Sequence, residues 1–148
     1  MERREFLLAS MALGLTACAP SGPGVVTVVA QGVAGMNPGP DGADRPLTLT
    51  IVQLRGAGAF DSADFFALQN PQGALGGDLV KADQLALTPG APKSLAIGLD
   101  ASTTVIGVIA GFRDPAGKNF RAKIAVSATE SVTLAVAVTK SGVTVRAG

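Results

Sequence analysis

From Val25 onward the chain is a succession of short β-branched or alternating apolar stretches, each cut off by Gly, Pro, Asn, Asp or Ser before it outgrows a strand. This pattern constrains the fold most, because a period of two puts alternate side chains on one face of a sheet and cannot form the apolar stripe of a helix. Leu47, Leu49 and Ile51 alternate with Thr48 and Thr50, and Leu95, Ile97 and Leu99 repeat the pattern. Phe120, Ala122, Ile124 and Val126 share one face while Arg121 and Lys123 take the other; Val132, Leu134, Val136 and Val138 do the same. Val25 to Val33, Gln84 to Thr88, Thr104 to Phe112 and Val143 to Arg146 bring the predicted strands to eight. Pro89-Gly90, Asp114-Pro115-Ala116-Gly117 and Ser141-Gly142 are turn sequences. Parallel neighbours need crossovers of about a dozen residues or more, so short strands joined by tight turns predict an all-β, antiparallel β-sandwich.

The period changes once. After Gly56 and Gly58, Asp61 stands as an N-cap, Asp64 at the third helical position, and Phe60 and Phe65 at the two staple positions, predicting a short helix to about Leu68. Asn70 to Gly73 ends it, and Leu75 to Lys81 supports a further turn or two. The expected architecture is therefore an eight-stranded sandwich with a short helical insertion after the second strand. Between the first two strands, Gly35 to Pro46 crowds Gly and Pro around Asn37, Asp41, Asp44 and Arg45, which reads as an exposed twelve-residue loop.

Composition removes most chemistries. The 148 residues suit one domain, and the single Cys excludes a disulfide framework. With 12 Lys and Arg against 11 Asp and Glu and no basic block, the electrostatic footprint of a nucleic-acid binder is missing. The absence of His eliminates Ser-His-Asp triads, Cys-His dyads and the common zinc sites.

The N-terminus reads as an address. Arg3 and Arg4 precede an apolar run from Phe6 to Leu15, too short for a membrane-spanning helix but right for a signal h-region. Leu15-Thr16-Ala17-Cys18 resembles a bacterial lipobox, in which the Cys thiol is acylated before cleavage. The expected division is a signal peptide over 1–18 with Cys18 lipidated, a Pro/Gly tether over 19–24 and a β-sandwich over 25–148. Ala19 after the Cys points to the periplasmic face of the outer membrane. Arg3-Arg4-Glu5-Phe6-Leu7-Leu8 fits a twin-arginine export signal as well as it fits a merely basic n-region.

Candidate chemical constellations are weak. Gly56-Ala57-Gly58 has Asp61 where a dinucleotide fingerprint needs its third Gly, and that carboxylate would repel a pyrophosphate. Asp41, Asp44 and Asn37 offer oxygens, but not at calcium-loop spacing. Asp61 and Asp64 are explained by capping. Lys93-Ser94 and Lys140-Ser141 are neighbours that a strand would point to opposite faces. Phe60, Phe65 and Phe66 are expected to seat the insertion on the sandwich, and Arg113, Arg121 and Lys123 to form a solvated outer face.

In order and spacing, the chain resembles the TssJ (SciN) outer-membrane lipoproteins of the type VI secretion system. The matching residues are Asn37-Pro38, Arg45-Pro46, Gln53-Leu54, Ala59-Phe60, Ala63 to Leu68, Leu75-Gly76, Asp78-Leu79, Leu87 to Gly90 and Gly107 to Asp114, with the lipobox in front. Phe120 stands where many members have Trp. The resemblance implies a transthyretin-like sandwich, no enzymatic activity, no cofactor or metal, and an outer-membrane anchor that binds the periplasmic C-terminal domain of TssM. The family's partner-contacting element is the loop between the first two strands; carried onto this chain, it offers Met36, Asn37, Asp41, Asp44 and Arg45. The rival reading is a lipoprotein module capturing a small ligand or cell-wall fragment in a cleft between the sandwich and the insertion.

Overall fold

The computed structural model describes residues 22–148. Cys18, the Arg3-Arg4 pair, the apolar run and tether residues 19–21 lie outside the described residues. Eight strands follow in order: β1 (Val25–Gly32), β2 (Leu47–Leu54), β3 (Leu79–Leu87), β4 (Lys93–Gly98), β5 (Val105–Ala110), β6 (Arg121–Ala125), β7 (Val132–Thr139) and β8 (Gly142–Ala147). They form two four-stranded sheets, β4-β1-β7-β8 and β3-β2-β5-β6. Between β2 and β3 lie three short helices, α1 (Gly58–Ser62), α2 (Phe65–Leu68) and α3 (Pro71–Leu75), and a 3₁₀ turn over Gly76–Asp78.

The alternating residues build the core as their period dictates. Leu47, Leu49 and Ile51 of β2 face Val26, Val28, Leu134, Val136 and Val138 of the other sheet, all buried. On the outer face of β2, Thr48 and Thr50 give way to Val52 and Leu54, which are covered by Phe60, Leu68 and Leu75 of the insertion. β2 is thus buried on both faces along its second half, an arrangement that requires the helices.

Five details differ from the sequence expectation. β1 pairs with β7 in parallel; the two strands are far apart in the chain, so the rule on short connections does not apply to them. Asp61 does not cap a helix, because α1 starts at Gly58; Asp64 is the N-cap of α2, accepting the Ala67 amide at 2.7 Å. Two residues in extended conformation, Ala63 and Asp64, split the expected single helix. Pro71 opens α3 instead of closing a helix, as suits its fixed φ at a first helical position, and β3 begins at Leu79, well before Gln84.

Strand registers define two poles. Val25 lies opposite Gly98, and Gly24 is clamped there, its N–H donating to Ala128 O (2.8 Å) and its carbonyl accepting from Leu99 N (2.9 Å). Gln53, near the end of β2, reaches the same Gly98, so the C-terminal end of β2 shares this pole with the tether. The β1–β2 loop, the β3–β4 turn, the β5–β6 loop and the β7–β8 hairpin all gather at the other pole. Eight-residue strands separate the two by roughly 25 Å.

Candidate interaction loop

The loop from Gly35 to Pro46 is held by its own side chains. The Asp44 carboxylate accepts the Gly35 amide at 2.6 Å and the Asn37 amide at 2.9 Å, while Arg45 N–H donates to Asn37 O at 2.9 Å. Burial alone would push the Asp44 carboxyl up. The amides of Asn37, Gly35, Arg45 and Met36 together outweigh it and hold the group below the ordinary 3.8. Asn37 is buried and works in both directions: its Oδ1 accepts from Arg113 N (2.8 Å) and its Nδ2 donates to Pro46 O (3.1 Å). Met36 is fully buried, its side chain lying over Gly32, and Lys118 Nζ donates to Met36 O at 3.0 Å while covering the Phe112 ring. Gly35 has φ +84, and Cε of Lys140 passes 2.6 Å from where a Cβ would sit, so only glycine fits there.

The five residues singled out in the sequence therefore divide by position. Met36 and Asn37 point into the fold, and Asp44 is half-buried on backbone amides. Asp41 and Arg45 stand exposed at the tip, joined by a 3.2 Å ion pair. The Ala43 amide and Arg45 hold Asp41 below the usual carboxylate range. The loop is exposed as a segment, but it is not loose: a bridge between Pro38 and Asp44 and the bond from Gly39 N to Ala43 O (2.7 Å) tie it across.

Three arrangements escaped the sequence reading. Gln53, buried, links the two sheets: its Nε2 donates to Gly98 O, and its Oε1 accepts from Asp100 N (2.9 Å) and Thr103 Oγ1 (2.8 Å). The signal was present, since Gln53 continues the inward register of Leu47, Leu49 and Ile51. Of the three cations expected on a solvated face, Arg113 and Lys123 are exposed; Arg121, half-buried, donates to Phe60 O and Ala63 O, and Lys123 pairs with Asp61, so the two latch the insertion to β6. The aromatic cluster also divides. Phe60 is core and Phe65 meets Phe120 edge-on at 5.4 Å, but Phe66 is 78% exposed.

Among the described residues no group of three or more Cys, Asp or Glu could hold a metal ion. No helix among them is long and apolar enough to cross a membrane. Under the helices, the space against β2 and β5 is filled by Phe60, Leu68, Leu75, Val52, Leu54 and Ile109; beside it an open recess of about 630 Å³ runs between Gln72 and Gly76 of the insertion and Leu79 to Ala82 of β3, where a ligand cleft was the rival expectation. Gly107 is part of the packing under the helices: a Cβ there would come within 2.8 Å of the Phe60 ring.

The described residues thus form a tightly packed β-sandwich that the chain enters at one pole and that carries a braced loop at the other. Residues 25–141 match the T6SS-SciN family, type VI secretion lipoproteins that take in VasD, EvfM and TssJ. The chain belongs to this type VI secretion lipoprotein family, which is structural and not a known enzyme class. Among solved structures it is similar to the T6SS lipoprotein TssJ1 from Pseudomonas aeruginosa, with TM-score 0.78 and 30% identity over 86% of this chain and 98% of that one. It is also similar to Serratia marcescens Lip, a membrane-bound component of the type VI secretion system, with TM-score 0.74 and 26% identity over 84% and 96% of the two chains. A chain of a type VI membrane complex shares the fold, with TM-score 0.74 and 23% identity over 84% of this chain and 99% of that one. No curated protein sequence matches.

Proposed function

We propose that this chain is a non-enzymatic lipoprotein of the outer membrane's periplasmic face. Acyl chains on Cys18 hold it there, and its Gly35 to Pro46 loop binds the periplasmic C-terminal domain of TssM, an inner-membrane protein. The observation that carries this reading is the opposition of the poles: the chain enters the sandwich at Gly24, and the loop stands roughly 25 Å away at the far end. An anchor at one pole turns the other toward whatever arrives across the periplasm. The short tether keeps the domain close to its membrane, and more than one acyl chain makes such anchoring stable. The loop's internal bracing fits the role, since an ordered loop loses less conformational freedom on binding. In a ring of many copies, a modest interface per copy suffices.

The test is co-purification of the full chain, extracted in non-ionic detergent, with the TssM periplasmic domain. The wild-type chain is expected to retain that domain. A chain whose Gly35 to Pro46 segment is replaced by a Gly/Ser linker is expected to release it while keeping its melting temperature within a few degrees. Cys18→Ser is expected to leave the membrane fraction. Retention of the TssM domain without the loop would overturn the reading.

A further inference from the structure

Charge is distributed unevenly between the poles. Around the chain's entry stand Asp78, Asp83, Asp100 and Glu130 against Arg55 and Lys81, so that end is net acidic. At the loop pole, Arg45, Lys93, Arg113, Lys118 and Lys140 outnumber Asp41, Asp44 and Asp114. Several of these are already engaged: Arg45 is paired with Asp41, Lys118 is turned onto Met36 O, and Asp44 is held by amides. Asp114 accepts the Ala116 amide. That leaves Lys93, Arg113 and Lys140, all exposed and in no close ion pair among the described residues, with Arg113 near enough to Asp41 to help hold that carboxyl down.

Two of these cations flank a recess. A shallow cleft of about 200 Å³ lies between the end of β1 and the β3–β4 turn, lined by Val33, Ala91 and Pro92 with Gln31, Gly32 and Gly90. Val33 is 47% exposed, one of few large apolar side chains so placed. Lys93 follows Pro92 directly and lies opposite Ala30 on β1, while Lys140 passes over Gly35 on the loop side of Val33. Positive charge thus stands beside the cleft without lining it, Lys93 next to Pro92 in the chain and Lys140 over Gly35, two residues beyond Val33.

We infer that this cleft and its cations extend the docking surface beyond the loop, and that the partner is a protein face carrying carboxylates around one projecting apolar side chain. The apolar side chain seats against Val33 and Pro92, and the carboxylates meet Lys93, Lys140 and Arg113. An apolar centre with a charged rim is the usual anatomy of a specific contact. Rim charges act mainly on the rate of encounter and on choice of partner. The inference rests on the functional reading above and adds the chemistry of what is recognised.

The experiment follows association of the detergent-solubilised full chain with the TssM periplasmic domain by surface plasmon resonance. Raising salt from about 0.05 to 0.3 M is expected to slow wild-type association about tenfold, because these charges are exposed and screened. The pair Lys93→Glu and Lys140→Glu is expected to slow it by at least as much at low salt and to flatten the salt dependence; the pair Lys93→Gln and Lys140→Gln is expected to fall between. Val33→Asp is expected to shorten the lifetime of the complex. Lys81→Glu, the same change of charge on β3 opposite Gln53 and so near the other pole, is expected to change nothing. Binding of the wild type that ignores both salt and the Lys93/Lys140 reversals overturns this inference and leaves the functional reading intact; no binding at any salt overturns the functional reading itself. Lysine reversals that abolish capture on phosphatidylglycerol vesicles while sparing TssM would make the basic rim a lipid contact and also overturn the inference.

Discussion

Removing the Asp44 carboxylate tests whether the order of the loop matters. In Asp44→Ala the Gly35 and Asn37 amides lose their acceptor, and no neighbouring oxygen replaces it. Hydrogen bonds to a charged group contribute about 1.5–3 kcal/mol each, so two at a half-buried site amount to about 3 kcal/mol. Because 1.4 kcal/mol is tenfold, the balance shifts about a hundredfold toward open loop conformers. A partner that reads the ordered loop then binds more weakly in proportion to the ordered fraction lost, by about ten- to a hundredfold. Asp44→Asn retains one acceptor oxygen and should fall between. Hydrogen exchange gives the structural readout: the Gly35 and Asn37 amides should lose protection while those of β1 and β7 keep theirs. Titration of wild type should give the same answer. The folded-state pKa of Asp44 is depressed below 3.8, so its contribution is complete above that value and is lost as pH falls through the lower one. Loop protection should therefore be flat from neutrality to about pH 4 and collapse below it. Unchanged TssM affinity in Asp44→Ala, with exchange showing the loop open, would refute the reasoning.

Other perturbations address the frame. Phe60→Ala empties the seat of the insertion and should cost about 3–5 kcal/mol by denaturant unfolding. Gln53→Leu leaves the Asp100 amide and the Thr103 hydroxyl without their acceptor and Gly98 O without its donor, a loss of about 2 kcal/mol by the same method. Arg121→Met removes the latch to Phe60 O and Ala63 O while keeping much of the stem; hydrogen exchange in α1 and α2 should rise with the sheets unaffected.

Much of the fold was legible because alternation is a local property. The eight strands, the insertion after the second and the turn residues at Pro89-Gly90 and Ser141-Gly142 all follow from spacing and backbone preference. The parallel β1–β7 pair was not, since pairing between distant strands is decided by packing of the whole sandwich. The break at Ala63-Asp64 was hidden because Asp61 and Asp64 are equally good caps, and the contacts of Arg121 and Lys123 with Phe60, Asp61 and Ala63 come from about sixty residues further along the chain. The loop's composition marked it as a loop, yet a Met and an Asn between glycines gave no sign that both turn inward. Their anchors, Arg113 N and Lys118, lie more than seventy residues away.

The central claim is that the pole opposite the tether is where the partner docks. Site-specific photo-crosslinking in living cells tests it most directly, with the reactive group placed at Asp41 on the loop tip or at Asp100 beside the tether, both exposed. The account expects an adduct with TssM from position 41 and none from position 100. An adduct from position 100 alone would contradict it.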